Sequence, residues 1–466
     1  MESPPAIDWR AVLARHHQEH VAEHMTAIAP ELRSGLAREL EDLDFALLDS
    51  LVASIRVPVA PPSPEEIRPP RVKRKGEDPA WDEAAAAVGA RALAAGKLAC
   101  VLVAGGQGSR LKHPGPKGTF PATPVRRKPL FQVFAEKIVA RSRSSGRSIP
   151  LCVMTSVEND DETKAAFEKN AFYGLEADRV HFFTQGMLPA VDEAGKLVFR
   201  APGRLFLSPD GHGGTLLALQ KSGVLDRLSA DGVEHLFYFQ VDNPLVDVCD
   251  PVFVGFHLNE QSEFSSKVVA KCGPEEKVGV LAEQRGRMVL IEYCDLPIDL
   301  REARGTGAAL LFSAGNIATH LLSVAFVKRL TSGRLRLPFH MARKSLPVTD
   351  AAGRITEIPG IKFETFVFDA LAEARKAAAL EVRREDEFAP IKNATGVDSP
   401  ASSAALQSAW AARMLVAAGV AVPTDVSGVP RVPIEISPLA AATPEGLRKH
   451  IPARLAFDSP LYIGDD

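Results

Sequence analysis

Apolar residues recur along this chain at two different periods. Between residues 8 and 56 they come in steps of three and four. Leu32, Leu36, Leu40, Leu43 and Leu47 form one stripe among Glu and Arg, which predicts helices. An alanine-rich helix is predicted over 81–96. From there to about residue 395 the pattern becomes short unbroken apolar runs at 98–104, 149–154, 180–183 and 235–241. Each is too brief for a helix and apolar throughout, as expected of strands buried on both faces. Helical segments are predicted between them at 130–142, 160–170 and 213–228. This alternation predicts an α/β fold with a largely parallel, doubly wound sheet and ligands at the carboxyl ends of its strands. Residues 266–294 change character, with turns at Gly273-Pro274 and Arg285-Gly286 that predict antiparallel strands.

Two stretches fall outside both periods. Residues 58–79 hold seven prolines and a basic run, Arg71 to Lys75. They predict an extended connector crossing the surface, with the basic run a solvated face. After a polar stretch at 395–403 and a helix near 404–418, a proline-rich, β-like tail is expected to form a small module. The expected organisation is a helical N-terminal region with its connector over 1–96, a central α/β domain over 97–395 and a small C-terminal domain over 396–466. No internal repeat is detectable.

Composition narrows the class without naming it. The chain has 466 residues, 46% apolar and 24% charged, enough for a sizeable core. A net charge of −3 gives no global positive field for nucleic acid or an anionic membrane. No uninterrupted apolar stretch approaches membrane-spanning length, and the N-terminus has neither the basic nor the apolar region of a signal peptide. The scattered cysteines, none in a C-x-x-C, read as reduced core thiols. A cytoplasmic protein is expected.

The most informative stretch is 98–117. Its apolar run breaks into Gly105, Gly106, Gln107, Gly108, followed by Arg110 and Lys117. Bare backbone donors at a strand end, followed by two cations, suit a polyphosphate. The dinucleotide fingerprint fails, because Leu111 stands where its third glycine should be. The kinase-type P-loop fails too, because no Gly-Lys-Ser/Thr follows Gly108 at the required spacing.

Other strand ends and loops add candidates. Gln185, after the 180–183 run, offers an amide suited to a pyrimidine edge. Residues 208–215 form a second glycine-rich loop opening a helix, with Gly211, Gly213 and Gly214 exposing backbone donors and His212 beside them. Asp242, with Asn243, ends the 235–241 run and is a natural Mg²⁺ ligand or, equally, a turn aspartate. Glu292 ends a strand-like run. Asn316 stands before an expected helix, where it could serve as N-cap. Lys392 follows a mixed charge run in an apolar context and is a candidate inward-facing cation. No Ser-His-Asp arrangement, zinc spacing or HExxH is present.

Taken together these blocks resemble the UDP-sugar pyrophosphorylases, most nearly those acting on UDP-N-acetylglucosamine. The resemblance runs from about residue 43 to the tail. Its blocks include 102–111, 116–118, 185–189, 209–214, 241–243, 267–269, 278–280, 314–317, 363–369, 384–393 and 435–439. It implies a helical N-terminal region, a Rossmann-like (GT-A-like) nucleotidyltransferase domain and a small C-terminal β domain. It also implies transfer of a uridylyl group from UTP to a sugar 1-phosphate, with Mg²⁺ (or Mn²⁺).

By that resemblance Ala104, Gly105, Gly106, Gln185, Gly211 and Asp242 hold the nucleotide, Asp242 also being the metal candidate. Arg110 and Lys117 grip the triphosphate, and Lys392 the phosphate on the sugar side. His212, Gly279, Glu292, Asn316, Phe366 and Phe368 surround the sugar. N-acetylglucosamine 1-phosphate is the expected acceptor. Glucose 1-phosphate, or several sugars, is the alternative, and a non-catalytic UDP-sugar sensor is a third reading. Two departures stand out. His212 occupies a position where acetylhexosamine enzymes usually have Asn, and Lys112-His113 follows Arg110-Leu111 where the family commonly has Gly.

Overall fold

The computed structural model describes residues 7–57, 63–333, 335–350, 352–426, 428–441, 443–452 and 455–464. The chain divides into two compact units, each discontinuous in sequence. The first comprises Met1–Pro61, Gln185–Gly214 and Leu337–Val367; the second comprises Pro62–Thr184, Thr215–Arg336 and Phe368–Asp466.

The first unit opens with four helices, Trp9–Arg15, Glu19–Ala27, Pro30–Glu41 and Phe45–Ser54. Their expected leucine stripe is only partly the core. Leu36 and Leu40 are buried, whereas Leu32 is exposed. The carboxylate of Asp44 then accepts from the Leu47 amide at 2.9 Å and starts a new helix. That restart resets the phase, so Leu48 and Leu51 are fully buried while Leu43 and Leu47 are only partly buried against the same core. These leucines pack with Leu188, Leu197, Leu205, Ile361 and Phe363. A hairpin of two ten-residue strands, His340–Thr349 and Ile355–Glu364, completes the unit.

The second unit is built on one mixed sheet. Its main strands, in chain order, are β1 (Val72–Arg74), β2 (Leu98–Val103), β3 (Leu151–Thr155), β4 (Val180–Thr184), β5 (His235–Gln240), β6 (Phe264–Ala270), β7 (Ala314–Ser323) and β8 (Ala377–Glu381). They lie in the order β1-β8-β6-β7-β5-β2-β3-β4. All run parallel to their neighbours except β7, which is antiparallel to both β5 and β6. This is an α/β fold consistent with a Rossmann-like nucleotidyltransferase domain. The expected antiparallel stretch is a hairpin, Val280–Gln284 with Arg287–Ile291, attached to β7.

The unbroken apolar runs become the buried strands β2, β3 and β5. Side chains from the helices Pro79–Ala94, Leu130–Ser145, Asp160–Lys169 and Pro251–Asn259 close the core. The first and last of these helices pack backbone to backbone. A Cβ on Gly89 would stand 2.0 Å from the Pro251 carbonyl oxygen, and one on Gly255 would stand 1.8 Å from that of Ala85. Only glycine fits there.

Three expectations are corrected. The connector does not simply cross the surface. Residues 58–62 lie outside the described residues, but Ile67–Arg68 pairs with Val280–Gln284 and β1 forms the edge of the sheet. Prolines are tolerated beside such edge strands because no ladder bond is lost. Among its described residues the tail holds two three-residue strands, Ile434–Ile436 and Leu461–Ile463, paired in parallel beside the long helix Pro400–Ala417. Pro423, Pro430, Pro433 and Pro438 remove too many donors for longer strands. Finally, Cys100, Cys152 and Cys249 are buried, but Cys272 and Cys294 are exposed. Among the described residues no helix is long and apolar enough to cross a membrane.

Candidate active site

The glycine-rich loop begins where β2 runs out of partners. The Ala104 amide still donates to the Met154 carbonyl at 2.9 Å, and the chain then turns away from the sheet. The turn closes on itself: the Gly108 amide donates to Gly115 O at 3.0 Å, and the Lys117 amide to Gly106 O at 3.1 Å. Arg110 lies in a single 3₁₀ turn, Ser109–Leu111, that ends on Lys112 in the left-handed conformation (φ 54°). A lysine here adopts what glycine adopts freely, at a cost of roughly 1 kcal/mol. His113 packs edge-on against Phe120 and shares a 2.8 Å hydrogen bond with Thr119 Oγ1.

Lys117 and Asp242 come from different strand ends, yet Nζ and Oδ2 are 3.8 Å apart and both side chains are mostly buried. Burial lowers the Lys117 pKa below its ordinary value; Asp242 opposes this, and Lys392 and then Arg110 push it further down. Lys117 thus feels both of the other cations expected from sequence, with Asp242 as its ion-pair partner.

Asp242 and Lys392 are linked through the backbone. The Ile391 amide donates to Asp242 O at 2.8 Å, while Asn243 Nδ2 donates to Glu387 O at 2.7 Å. Lys392 is less inward-facing than expected. Its side chain is 43% exposed, with Nζ 3.9 Å from Asp398 Oδ2.

The sugar-side candidates of the second unit form another group. Gly279 O accepts the Asn316 amide at 2.9 Å, and a Cβ on Gly279 would stand 3.4 Å from Glu292 Oε1. Asn316 is not a helix cap. It lies in β7, where its Oδ1 accepts from the Ala318 amide at 3.0 Å. The β6–β7 ladder slips between Lys267 and Val268, and Ala318 takes a positive φ there. Such an irregularity re-aims side chains. Phe368 is buried at the point where the chain re-enters this unit.

Gln185, Gly211, His212 and Phe366 belong to the first unit. Gln185 is buried, and the next residue's carbonyl, Gly186 O, accepts the Asp210 amide at 3.0 Å. Gly211 has φ +82°, and a Cβ on it would meet Thr365 O at 2.4 Å. The His212 ring stacks on Phe366 at 5.2 Å, and His340 stacks on Phe366 at 4.4 Å. Burial, and secondarily His340, pushes the His212 pKa down to about 4. The ring is thus neutral at physiological pH. Its Nδ1 accepts from the Val367 amide at 3.2 Å, which leaves the proton on Nε2.

One buried residue escaped the sequence reading. Asn159 Nδ2 donates to Ala104 O at 2.9 Å and Gly106 O at 3.3 Å, tying down the glycine-rich loop. Only its place after β3 could have signalled this.

Asp247, Asp250 and Glu387 offer carboxylate oxygens within 4.8 Å of one another, a spacing that could take a divalent ion. All three already have cationic partners: Lys267 Nζ lies 2.6 Å from Glu387 and 2.9 Å from Asp250, Lys75 Nζ lies 2.8 Å from Asp250, and Arg141 Nη2 lies 2.8 Å from Asp247. Asp242, beside the cations, offers a separate hard oxygen donor of the kind Mg²⁺ uses together with substrate phosphates.

The chain is similar to several known proteins. The family profile described as UTP–glucose-1-phosphate uridylyltransferase matches residues 64–405. A human protein named UDP-N-acetylhexosamine pyrophosphorylase-like protein 1 is 35% identical, over 98% of this chain and 97% of its own. The UDP-N-acetylglucosamine pyrophosphorylase of Saccharomyces cerevisiae is 33% identical, over 85% of each chain. The crystal structure of the Trypanosoma brucei uridine diphosphate N-acetylglucosamine pyrophosphorylase in complex with inhibitor superposes with a TM-score of 0.83, at 28% identity, over 100% of both chains. With the profile covering most of its length and relatives matched nearly end to end, this chain belongs to the UTP–glucose-1-phosphate uridylyltransferase family.

Proposed function

We propose that this protein is a UDP-sugar pyrophosphorylase that makes UDP-N-acetylglucosamine and pyrophosphate from UTP and N-acetylglucosamine 1-phosphate. A phosphate oxygen of the sugar phosphate attacks the α-phosphorus of UTP, the bond from that phosphorus to the bridging oxygen breaks, and pyrophosphate leaves. The nucleophile is already anionic, so no strong general base is needed. The barrier lies in bringing two polyanions together and in the charge that builds on the α-phosphoryl and the leaving group.

Arg110 and Lys117 hold the triphosphate, and Lys392 the phosphate of the sugar. Ala104, Gly105, Gly106, Gln185 and Gly211 hold the uridine nucleotide. Gly279, Glu292, Asn316, Phe366, Phe368 and His212 recognise the sugar. Asp242 would hold Mg²⁺, which when bound neutralises phosphate charge. What supports this most is the placing of Lys117, mostly buried and 3.8 Å from Asp242 at the end of a parallel strand, beside the glycine-rich loop, with Lys392 joined to Asp242 by the Ile391–Asp242 backbone bond. A buried cation beside bare loop amides suits an anionic occupant.

His212 keeps a second acceptor in view: glucose 1-phosphate. Its neutral imidazole offers one donor, where an asparagine would offer a donor pair and an acceptor. The test is pyrophosphate release from UTP with a panel of sugar 1-phosphates. Turnover highest with N-acetylglucosamine 1-phosphate is expected. Turnover with glucose 1-phosphate alone would overturn the sugar, and none with any would overturn the function.

A further inference from the structure

Lys267 lies in the middle of the sheet and is fully buried. Its ammonium lies 2.6 and 2.8 Å from the two oxygens of Glu387 and 2.9 Å from Asp250. Lys75, from the connector, adds a second ammonium 2.8 Å from Asp250 and 3.8 Å from Glu387. Burying these charges is expensive, and an apolar pair of the same volume would often be as stable. What the ion pairs do provide is a fixed position for Glu387. From that residue a chain of hydrogen bonds runs to the candidate active site. Glu387 O accepts from Asn243 Nδ2 at 2.7 Å, Asn243 Oδ1 accepts from the Ala389 amide at 3.0 Å, and the Ile391 amide donates to Asp242 O at 2.8 Å. Asp242 stands 3.8 Å from Lys117, and Lys392 follows Ile391 directly.

We propose that Lys267 is a positioning residue for uridylyl transfer, fixing the spacing of Asp242 and Lys392 through Glu387 and Asn243; this rests on the function proposed above. Lys267 touches no substrate. It sets where two groups stand, and a shift of about 1 Å in such groups can lower a rate roughly 100-fold.

The test compares wild type with Lys267→Met/Glu387→Gln, which removes the pair while keeping its volume, and with Lys267→Arg. Melting temperature, kcat and the KM for each substrate are measured. The double variant is expected to fold and to keep the KM for UTP within about threefold, while kcat per folded molecule falls about tenfold or more. Lys267→Arg is expected to recover much of that loss. A folded double variant with wild-type kcat overturns the proposal. Should the double variant not fold, Asn243→Ser cuts the chain one step later and is expected to show the same split, and wild-type kcat there overturns the proposal equally. A wild-type protein that releases no pyrophosphate from any sugar 1-phosphate would sink the function itself and this role with it. Wild-type turnover beside an unchanged variant sinks the positioning role alone.

Discussion

The side-chain amide of Asn159 holds two carbonyls of one loop, Ala104 O at 2.9 Å and Gly106 O at 3.3 Å, while its Oδ1 accepts the Ser156 amide at 2.8 Å. Three glycines in four positions leave that loop entropically costly to order, and the buried amide limits its freedom. Asn159→Leu should therefore cost about 2–3 kcal/mol, since it leaves buried backbone groups without partners. It should also raise the KM for UTP about tenfold. Denaturant unfolding and steady-state kinetics check the two effects separately.

A similar clasp holds the C-terminal module. Oε2 of the buried Glu435 accepts both the Val125 amide at 2.8 Å and the Arg126 amide at 2.7 Å. Bonds from two amides to one carboxylate are strong for their number. Glu435→Ala should destabilise the protein by about 2–3 kcal/mol. The Val125 and Arg126 amides should lose their protection against hydrogen exchange, while those of β2 keep theirs.

Much of this was legible in the chain, and the reasons for the remainder are physical. β2, β3 and β5 are continuous apolar runs, and the loop after β2 is marked by glycine, so short-range chemistry is enough to find them. That Arg110, Lys117 and Lys392 serve one site is implied by family resemblance and not by periodicity; the bonds from residues 387–391 to Asp242 and Asn243, which join distant parts of the chain, are set by the fold. Asn316 reads as a cap because a capping asparagine and a strand asparagine are alike in sequence, and only the antiparallel placing of β7 between β5 and β6 separates them. Lys75 looked like one of several solvated cations, and only the fold puts Asp250 within 2.8 Å of it. Asn159 sat in an ordinary polar segment. Nothing local distinguishes an asparagine that caps its own turn from one that holds another loop.

Buried histidines set the response to acid. His257, buried beside His235, is pushed down to about 3, chiefly by burial, and His212 to about 4. In the unfolded chain both titrate near 6.5. As pH falls below that value the unfolded state takes up protons first, so stability is lost on the acid side of 6.5 and down towards the folded values. Each histidine contributes up to about 1.4 kcal/mol per pH unit inside its window. The melting temperature should fall steadily from pH 6.5 to 4, and His257→Asn should make that slope shallower. An identical slope in the variant would assign the acid sensitivity to other groups.

The proposal that Arg110 and Lys117 hold the triphosphate is tested most directly by the turnover of Lys117→Ala. Its kcat for pyrophosphate release from UTP and N-acetylglucosamine 1-phosphate should fall at least 100-fold. Its melting temperature should fall somewhat, because Asp242 loses the ammonium 3.8 Å from it, so turnover is compared per folded molecule. A folded Lys117→Ala protein that releases pyrophosphate at the wild-type rate would contradict the account.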